Sequence, residues 1–232
     1  ISRELCLMRE VVLDTETTGL DPKSGDRVVE IGCVELLNHM ATGETYHTYL
    51  NPERDMPPEA ERVHGLSIEF LSDKSLFADI ADDFLAFVGT SPVIAHNAPF
   101  DLGFLNAELV MAGREPLSKD RAIDTVPLAR RKFPGAQVNL DALCRRFNVD
   151  LSARVQHGAL LDSELLAEVY LELIGGREPG LGLAANERSG KATKTVDIDR
   201  PVRSARPHEA SPEELSAHAS FLEKIQSPLW KT

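Results

Sequence analysis

Cysteine and tryptophan are scarce in this chain of 232 residues, which has three of the first and one of the second. Cys6, Cys33 and Cys144 are widely separated and odd in number. That spacing argues against a disulfide framework or a zinc site and favours reduced thiols in a cytosol. Long hydrophobic runs are also missing, since no stretch approaches the roughly 20 apolar residues of a membrane span and the first residues lack a secretion signal. We expect a soluble cytoplasmic protein with no membrane partner.

Basic residues are outnumbered, with 25 Lys and Arg against 37 Asp and Glu and a net charge of -12. Proteins that grip duplex DNA through a broad surface neutralise its phosphates with Lys and Arg. The composition therefore argues against such a surface. If the protein handles nucleic acid, we expect it to use metal ions and a small pocket.

Hydrophobic patterning predicts an α/β fold that begins with an antiparallel sheet and continues as alternating strands and helices. Short apolar runs predict strands over residues 11–14, 28–36, 45–50 and 93–95, and more weakly over 122–125. Helical periodicity predicts helices over residues 77–88, 100–112, 126–132, 140–147 and 159–174. Polar or Pro-rich connections are expected over residues 19–25, 38–43 and 51–58.

The composition changes after Gly175 and Gly176. Residues 177–210 have few large apolar side chains, which predicts a largely disordered linker. Ser211 and Pro212, followed by two Glu residues, are typical of the start of a helix. We therefore expect a C-terminal tail that ends in a short helix.

Asp14 and Glu16 follow an apolar run at the end of the first predicted strand. Strand residues two apart project from the same face, so two carboxylates point together from a hydrophobic strand. Removing two adjacent carboxylates from water is unfavourable unless a cation lies between them. For this pair alone, two solvated acids at a strand end remain the simpler alternative.

Asp101 and Asp162 lie on helix stripes that otherwise carry large apolar residues. Each could singly be a satisfied core carboxylate, but with Asp14 and Glu16 they form four acids of the kind that suits Mg²⁺ or Mn²⁺. His157 precedes Asp162 by five residues, about 140° on a helix, so the two cannot share a helix face. We expect His157 in the loop before the helix, as a candidate general base, with a surface or capping role as the alternative.

Three segments, residues 14–19, 96–101 and 157–162, resemble the three motifs of the DnaQ-like (DEDDh) 3′–5′ exonucleases. Further similarity, over roughly residues 10–176, is to the epsilon-subunit family of bacterial DNA polymerase III. The resemblance implies a ribonuclease H-like mixed sheet flanked by helices. It implies two Mg²⁺ or Mn²⁺ ions on Asp14, Glu16, Asp101 and Asp162, with His157 as the base. The reaction it implies is proofreading of DNA synthesis, in which mismatched 3′-terminal nucleotides are hydrolysed to 5′-monophosphates by a two-metal mechanism.

The same resemblance suggests contacts outside the acid cluster. Candidate substrate contacts, each with loop packing as its alternative, are Thr15, Glu59, Val63, His64, His96 and Asn97. It divides the chain into an exonuclease domain (8–176), a flexible linker (177–210) and a polymerase-binding segment (211–232). Residues 178–183 resemble a sliding-clamp-binding peptide, although Glu178 stands where Gln is usual. The partners implied are DNA 3′ ends, the polymerase III alpha subunit, the sliding clamp and a small accessory subunit, with partner contacts at Leu181, Leu183, Leu222, Leu229 and Trp230.

Two other functions are compatible with parts of the sequence. A ribonuclease of the same superfamily would trim RNA 3′ ends, but such enzymes are usually little more than the catalytic domain, and this chain has a tail. A catalytically silent adaptor would keep the fold to bind partners, but all five positions of the acid and histidine set are filled here.

Overall fold

The computed structural model describes residues 8–152, 154, 156–176 and 210–224. The chain divides into two compact units, residues 1–183 and 184–232. In the second unit the described element is the helix α8 (Pro212–Leu222), which starts where the sequence predicts and has a capping box between Ser211 and Glu214. Among the described helices, none combines the length and apolar character that a bilayer-crossing segment needs.

One mixed sheet forms the centre of the first unit, and its described strands are β1 (Arg9–Thr17), β2 (Val28–Leu37), β3 (Met40–Tyr49), β4 (Val93–Ala95) and β5 (Ala122–Asp124). Their order across the sheet is β3-β2-β1-β4-β5. The first three strands pair antiparallel, whereas β4 pairs parallel with β1 and β5 parallel with β4. The central strand is therefore β1.

Helices cover both faces of this sheet, and those described in the first unit are α1 (Pro58–His64), α2 (Ile68–Leu71), α3 (Phe77–Val88), α4 (Ala98–Met111), α5 (Thr125–Lys132), α6 (Leu140–Phe147) and α7 (Ala159–Ile174). On one face, Val11 and Leu13 of β1 pack with apolar residues of α3 and α4. On the other face, Val12 packs against Leu166 and Tyr170 of α7. This arrangement confirms the predicted mixed sheet flanked by helices.

Burial on both faces explains the uninterrupted apolar run in the middle of β1. Val11, Val12 and Leu13 are completely buried, and burying an aliphatic side chain of this size contributes roughly 1.5–3 kcal/mol. The strand is thus firmly anchored at its middle. The polar residues that follow it are held at a fixed place at the end of the strand.

Two connections differ from the sequence-based expectation. The predicted loop over residues 38–43 is a tight turn at Asn38 and His39, which take φ values of 50° and 67°, and β3 already begins at Met40. The Pro-rich loop is followed by α1 and α2, which the sequence did not predict because helices of seven and four residues have too few turns to show a periodic pattern.

The helix predicted from residue 100 begins two residues earlier. Asn97, at the N-cap of α4, has a left-handed φ of 76°, and Pro99 lies in the first turn. Asp101 is therefore two residues further into the helix than expected, but still within its first turn.

Candidate active site

Four carboxylates from three elements line one cavity of about 380 Å³. Asp14 and Glu16 come from the end of β1, Asp101 from the first turn of α4 and Asp162 from the first turn of α7. Glu16, Asp101 and Asp162 are buried and Asp14 is half-buried. The structure thus brings together the four acids that the sequence singled out.

Strand alternation decides which side of the sheet each side chain of this segment reaches. Asp14 and Glu16 share the face of Val12, which packs against α7. Thr15 points to the opposite face and meets α4, where its backbone N–H and its hydroxyl donate to Oδ1 of Asp101, at 3.1 and 2.8 Å. These two bonds hold the Asp101 carboxylate against the strand.

Asp162 is placed by the close approach of α7 to β2. The hydroxyl of Ser163 donates to the backbone oxygen of Gly32 over 2.9 Å. Gly32 lies opposite Asp14 in the pairing of β1 with β2. The first turn of α7 is therefore attached to the sheet directly beside the strand acids.

Burial makes the ionised form of these acids unfavourable. It is the main cause that raises the pKa of Asp14 well above its ordinary value, and the charges of Asp101 and Glu16 add to the effect. Burial also raises the pKa of Glu16 to about 8. It raises the pKa of Asp101 to about 7, against the opposing hydrogen bonds from Thr15. A cation among these groups would favour their ionised forms.

Asp162 differs from the other three acids because an arginine is bonded to it. Burial alone would raise the pKa of Asp162, but hydrogen bonds from Arg154 and His157 outweigh burial and lower it. Nε and Nη2 of Arg154 each lie 2.6 Å from one carboxylate oxygen of Asp162. Nη1 of the same guanidinium donates to Asp141 of α6. Neither Arg154 nor Asp141 was predicted as a site residue, because neither lies in an apolar strand or on a buried helix stripe.

His157 lies in the loop before α7, where its spacing from Asp162 predicted it. Its side chain is half exposed. Nδ1 is 3.2 Å from Oδ2 of Asp162 and 2.9 Å from Nη2 of Arg154. A protonated Nδ1 donates to Asp162, whereas a bare Nδ1 accepts from Arg154. The hydrogen bond to Asp162 is the main cause that raises the pKa of His157 above its ordinary value.

The chemistry of these side chains fits divalent metal ions. One ligand atom from each of Glu16, His157 and Asp162 lies within 4.8 Å of the others. Carboxylate-rich sites suit Mg²⁺ and Mn²⁺, and imidazole is also accepted by Mn²⁺ and other transition metals. The guanidinium of Arg154 already stands as a cation among these acids. By donor type and by charge, the residues present form an acidic cluster that could hold divalent metals.

Of the predicted substrate contacts, Thr15 and His96 line the cavity. Nδ1 of His96 is 2.8 Å from the hydroxyl of Thr125, which fixes the ring at the end of β4. Asn97 caps α4, and its backbone N–H donates to Asp124. Within the described part of the chain, Asn97 is outside the set of residues that line the cavity.

The other three predicted contacts belong to α1, outside that set of lining residues. Glu59 is exposed and 3.5 Å from Arg62. The backbone oxygen of Val63 accepts the N–H of His157 at 3.3 Å, so the end of α1 borders the loop that carries the imidazole. His64 is buried, and its Nε2 has no hydrogen-bond partner among the described residues.

Of the five predicted partner contacts, only Leu222 lies within the described residues. Leu222 is half-buried at the end of α8. The clamp-like peptide 178–183 and the residues Leu181, Leu183, Leu229 and Trp230 lie outside the described residues.

A further acid, Glu30, lies next to the site and adds to its charge. It lies opposite Glu16 in the pairing of β1 with β2, and its charge adds to the raised pKa of Glu16, which burial mainly causes. Oε1 of Glu30 is 2.7 Å from Nε2 of His47 on β3. These two residues were not predicted, because the register between strands cannot be read from a local pattern.

Comparison with known sequences gives a consistent family assignment. The model of the family described as exonuclease matches residues 11–170. DNA polymerase III subunit epsilon of Rickettsia conorii is 50% identical, with 94% of this chain and 96% of that protein covered. The protein of the same name from Escherichia coli K12 is 40% identical, with 97% and 98% covered.

Solved structures share the fold. Exonuclease X in complex with 5′-overhanging duplex DNA is 25% identical with a TM-score of 0.56, over 71% of this chain and 90% of that one. The nuclease domain of 3′hExo, a DEDDh family member bound to rAMP, has a TM-score of 0.63 at 18% identity, over 73% and 93%. The second likeness concerns the fold alone.

Proposed function

The chain belongs to the exonuclease family, among the epsilon subunits of bacterial DNA polymerase III, and is a 3′–5′ exonuclease, and on this premise we propose which residues carry the reaction. Asp14, Glu16, Asp101 and Asp162 hold two divalent cations, Mg²⁺ or Mn²⁺, and His157 is the general base. The substrate is an unpaired 3′ end of DNA and the product is a nucleoside 5′-monophosphate. The meeting of four acids in one cavity is the observation that carries this proposal.

The raised pKa values of Asp14, Glu16 and Asp101 support the assignment of cations to this cavity. When bound, two divalent cations would polarise the phosphodiester and stabilise the attacking and leaving oxygens. The protein holds its ligands in place from several directions. Thr15 fixes Asp101 from β1, and Ser163 fixes the first turn of α7 to β2. Such support keeps catalytic geometry precise.

The position of His157 supports its role as the base. Donation from Nδ1 to Asp162 orients the ring and leaves Nε2 to accept a proton from the attacking water. The same hydrogen bond raises the pKa of His157, which makes the imidazole a stronger base. Its half-exposed side chain allows the proton to pass on to solvent.

The small cavity and the acidic composition support a preference for frayed ends. A separated strand end can enter such a cavity, and a mismatched end is easier to separate than a matched one. An excess of Asp and Glu gives little general attraction for the DNA backbone. Discrimination then comes from the free energy of melting the terminal pair, and sequence is not read.

We further propose that the chain works while bound to a polymerase. The named relatives are subunits of DNA polymerase III and match the chain over nearly its whole length. On α8, Leu215 and Phe221 are exposed apolar side chains suited to a partner surface. We assign the alpha-subunit contact to residues 211–232 and a weak clamp contact to residues 178–183. The segment between them would tether the exonuclease at high effective concentration beside the primer end.

The nuclease proposal is tested with purified protein and Mn²⁺ on matched primers, mismatched primers and a single-stranded RNA of the same sequence. We expect faster release of 5′-monophosphates from the mismatched DNA end. Asp162→Asn should abolish release, whereas the exposed Asp83→Asn on α3 should not alter it. Full activity in EDTA would contradict the metal assignment, and a preference for the RNA end would favour the ribonuclease.

The tether proposal is tested by gel filtration with the polymerase alpha subunit. We expect Trp230→Ala to weaken co-elution and a deletion of residues 208–232 to abolish it. Lys231→Ala serves as the matched control next to the tryptophan and should co-elute normally. Hydrolysis of short oligonucleotides should be unchanged in all three variants. Co-elution of the truncated protein would show that the alpha subunit binds elsewhere.

A further inference from the structure

Arg154 is an unusual residue to find in a cavity assigned to metal ions. Its side chain is only 9% exposed. Its guanidinium donates two hydrogen bonds to Asp162, one to each carboxylate oxygen at 2.6 Å. A third nitrogen donates to Asp141. An arginine bound in this forked manner places a full positive charge against a proposed metal ligand.

The same carboxylate cannot serve Arg154 and a divalent cation equally well. Both oxygens of Asp162 are engaged by the guanidinium in the described structure. A guanidinium and a divalent ion at hydrogen-bonding distance from one carboxylate would also repel each other strongly. Entry of a metal ion at Asp162 therefore requires Arg154 to move.

Asp141 offers Arg154 a second partner that is outside the group of four acids. It lies in the first turn of α6 and its side chain is 39% exposed, so it is nearer to solvent than Asp162. Because Arg154 already contacts Asp141, it can leave Asp162 without becoming an unpaired buried charge. Arg154 itself lies in neither a helix nor a strand, between α6 and α7 in the chain.

We propose that Arg154 is the resident cation of the metal-free site, which holds Asp162 and His157 in place and withdraws to Asp141 when divalent ions enter. Arg154 is thus a positioning residue that competes with the metal. It relieves the repulsion among the four acids while no metal is bound. The proposal rests on the metal assignment made above.

The position of Arg154 also bears on the base. While Nη2 donates to Nδ1 of His157, the ring proton resides on Nε2, and Nε2 has no lone pair to accept a proton. After Arg154 withdraws, Nδ1 carries the proton and donates to Asp162, which frees the lone pair of Nε2. The imidazole is therefore set for catalysis only when the metal site is filled.

The test compares Arg154→Gln, Arg154→Lys and the control Arg131→Gln, an exposed arginine on α5. Calorimetry measures Mn²⁺ affinity without nucleotide, and thermal scans measure the melting temperature in EDTA and in saturating Mn²⁺. We expect Arg154→Gln to bind Mn²⁺ about tenfold more tightly, because the competing charge is gone. Its melting temperature should be lowered in EDTA but should equal that of the unmodified protein in Mn²⁺.

The lysine variant keeps the positive charge but cannot bind both carboxylate oxygens of Asp162 as a guanidinium does. Its Mn²⁺ affinity should therefore fall between those of the unmodified protein and Arg154→Gln. The control should match the unmodified protein in both assays. An Arg154→Gln melting temperature lowered equally in EDTA and Mn²⁺, with affinity within twofold, would overturn the proposal and leave Arg154 a structural residue. Weaker Mn²⁺ binding would also overturn it. If the unmodified protein and all variants bind no Mn²⁺, the metal assignment itself fails.

A spectroscopic measurement checks the effect on the base. Nitrogen NMR of labelled His157 reports which ring nitrogen carries the proton. We expect the proton to move from Nε2 to Nδ1 on addition of Mg²⁺ in the unmodified protein. In Arg154→Gln we expect it on Nδ1 with or without the metal. The same tautomer in all four samples would contradict the switch.

Discussion

Gly32 should be among the positions least tolerant of a methyl group. A Cβ built on Gly32 would lie 2.2 Å from the carbonyl carbon of Ala159 and from the nitrogen of Leu160. Both atoms belong to the backbone at the start of α7, so no side chain can rotate away. An ordinary contact needs at least 3.4 Å. In Gly32→Ala the first turn of α7 must therefore retreat by about 1.2 Å, which is the difference between these two distances.

Asp162 lies in that same turn and would move with it. A misplacement of about 1 Å in a catalytic group can lower the rate about 10²-fold. Overpacking of this kind destabilises a protein by about 1–3 kcal/mol, and for a domain of this size each kcal/mol lowers the melting temperature by about 2–4 °C. We expect Gly32→Ala to remain folded at 25 °C. Its melting temperature should be several degrees lower than that of the unmodified protein, and its kcat/KM should be lower by about two orders of magnitude.

The matched control is Gly103→Ala, an exposed position in α4 two residues beyond Asp101. A Cβ at Gly103 meets no described atom within 4 Å, and alanine favours a helix by up to about 1 kcal/mol over glycine. Its activity should be unchanged and its melting temperature equal or higher. If Gly32→Ala is folded and its kcat/KM stays within threefold of the unmodified protein, the contact of α7 with β2 does not determine the position of Asp162.

In EDTA, the melting temperature should fall as the pH rises from about 5 to about 8. Burial raises the pKa of Glu16 to about 8 and that of Asp101 to about 7. In this pH range the folded state therefore keeps protons that the unfolded chain has released, and the free energy of unfolding decreases. Mn²⁺ should flatten this decline, and identical profiles with and without it would count against a metal site. His157→Ala should lower turnover about 10²–10⁴-fold while calorimetry still detects Mn²⁺ binding; a loss below threefold across pH 6–9 would place the base elsewhere. Thr15→Val removes the 2.8 Å hydrogen bond from the Thr15 hydroxyl to Asp101. In urea unfolding, the variant should be less stable by about 1–2 kcal/mol. An unchanged urea midpoint would show that this bond is not needed for stability.

The parts of the site that the sequence predicted are those in which charge conflicts with burial. Asp101 and Asp162 stood out because acids rarely occupy an apolar helix stripe. Asp14 and Glu16 stood out because they extend an apolar strand. The position of His157 followed from helix rotation together with Gly158, which precedes α7 and serves as its N-cap. Each of these signals is local and can be read within a few residues.

The parts that the sequence did not predict depend on contacts between distant segments. Glu30 meets Glu16 through strand register, and Arg154 meets Asp141 through the packing of α6 beside α7. Neither Glu30 nor Arg154 lies in an unusual local sequence pattern. The extension of β3 back to Met40 was also missed, because an edge strand with an exposed, polar first half shows little hydrophobic alternation.

The location of the cavity follows from the unequal lengths of the central strands. Strand β4 is three residues long, and in the described sheet its pairs with β1 are at Val11 and Val12. The N–H of Val11 donates to the chain just before β4, and the N–H of Thr15, four residues later, points to the same edge. At that level β4 has ended and α4 has begun, so the N–H of Thr15 donates to Asp101 instead. A backbone donor that would otherwise lack a partner thus becomes the anchor of a carboxylate of the candidate site. The site lies at the end of β1 because that is where the sheet stops supplying hydrogen-bond partners to its own central strand.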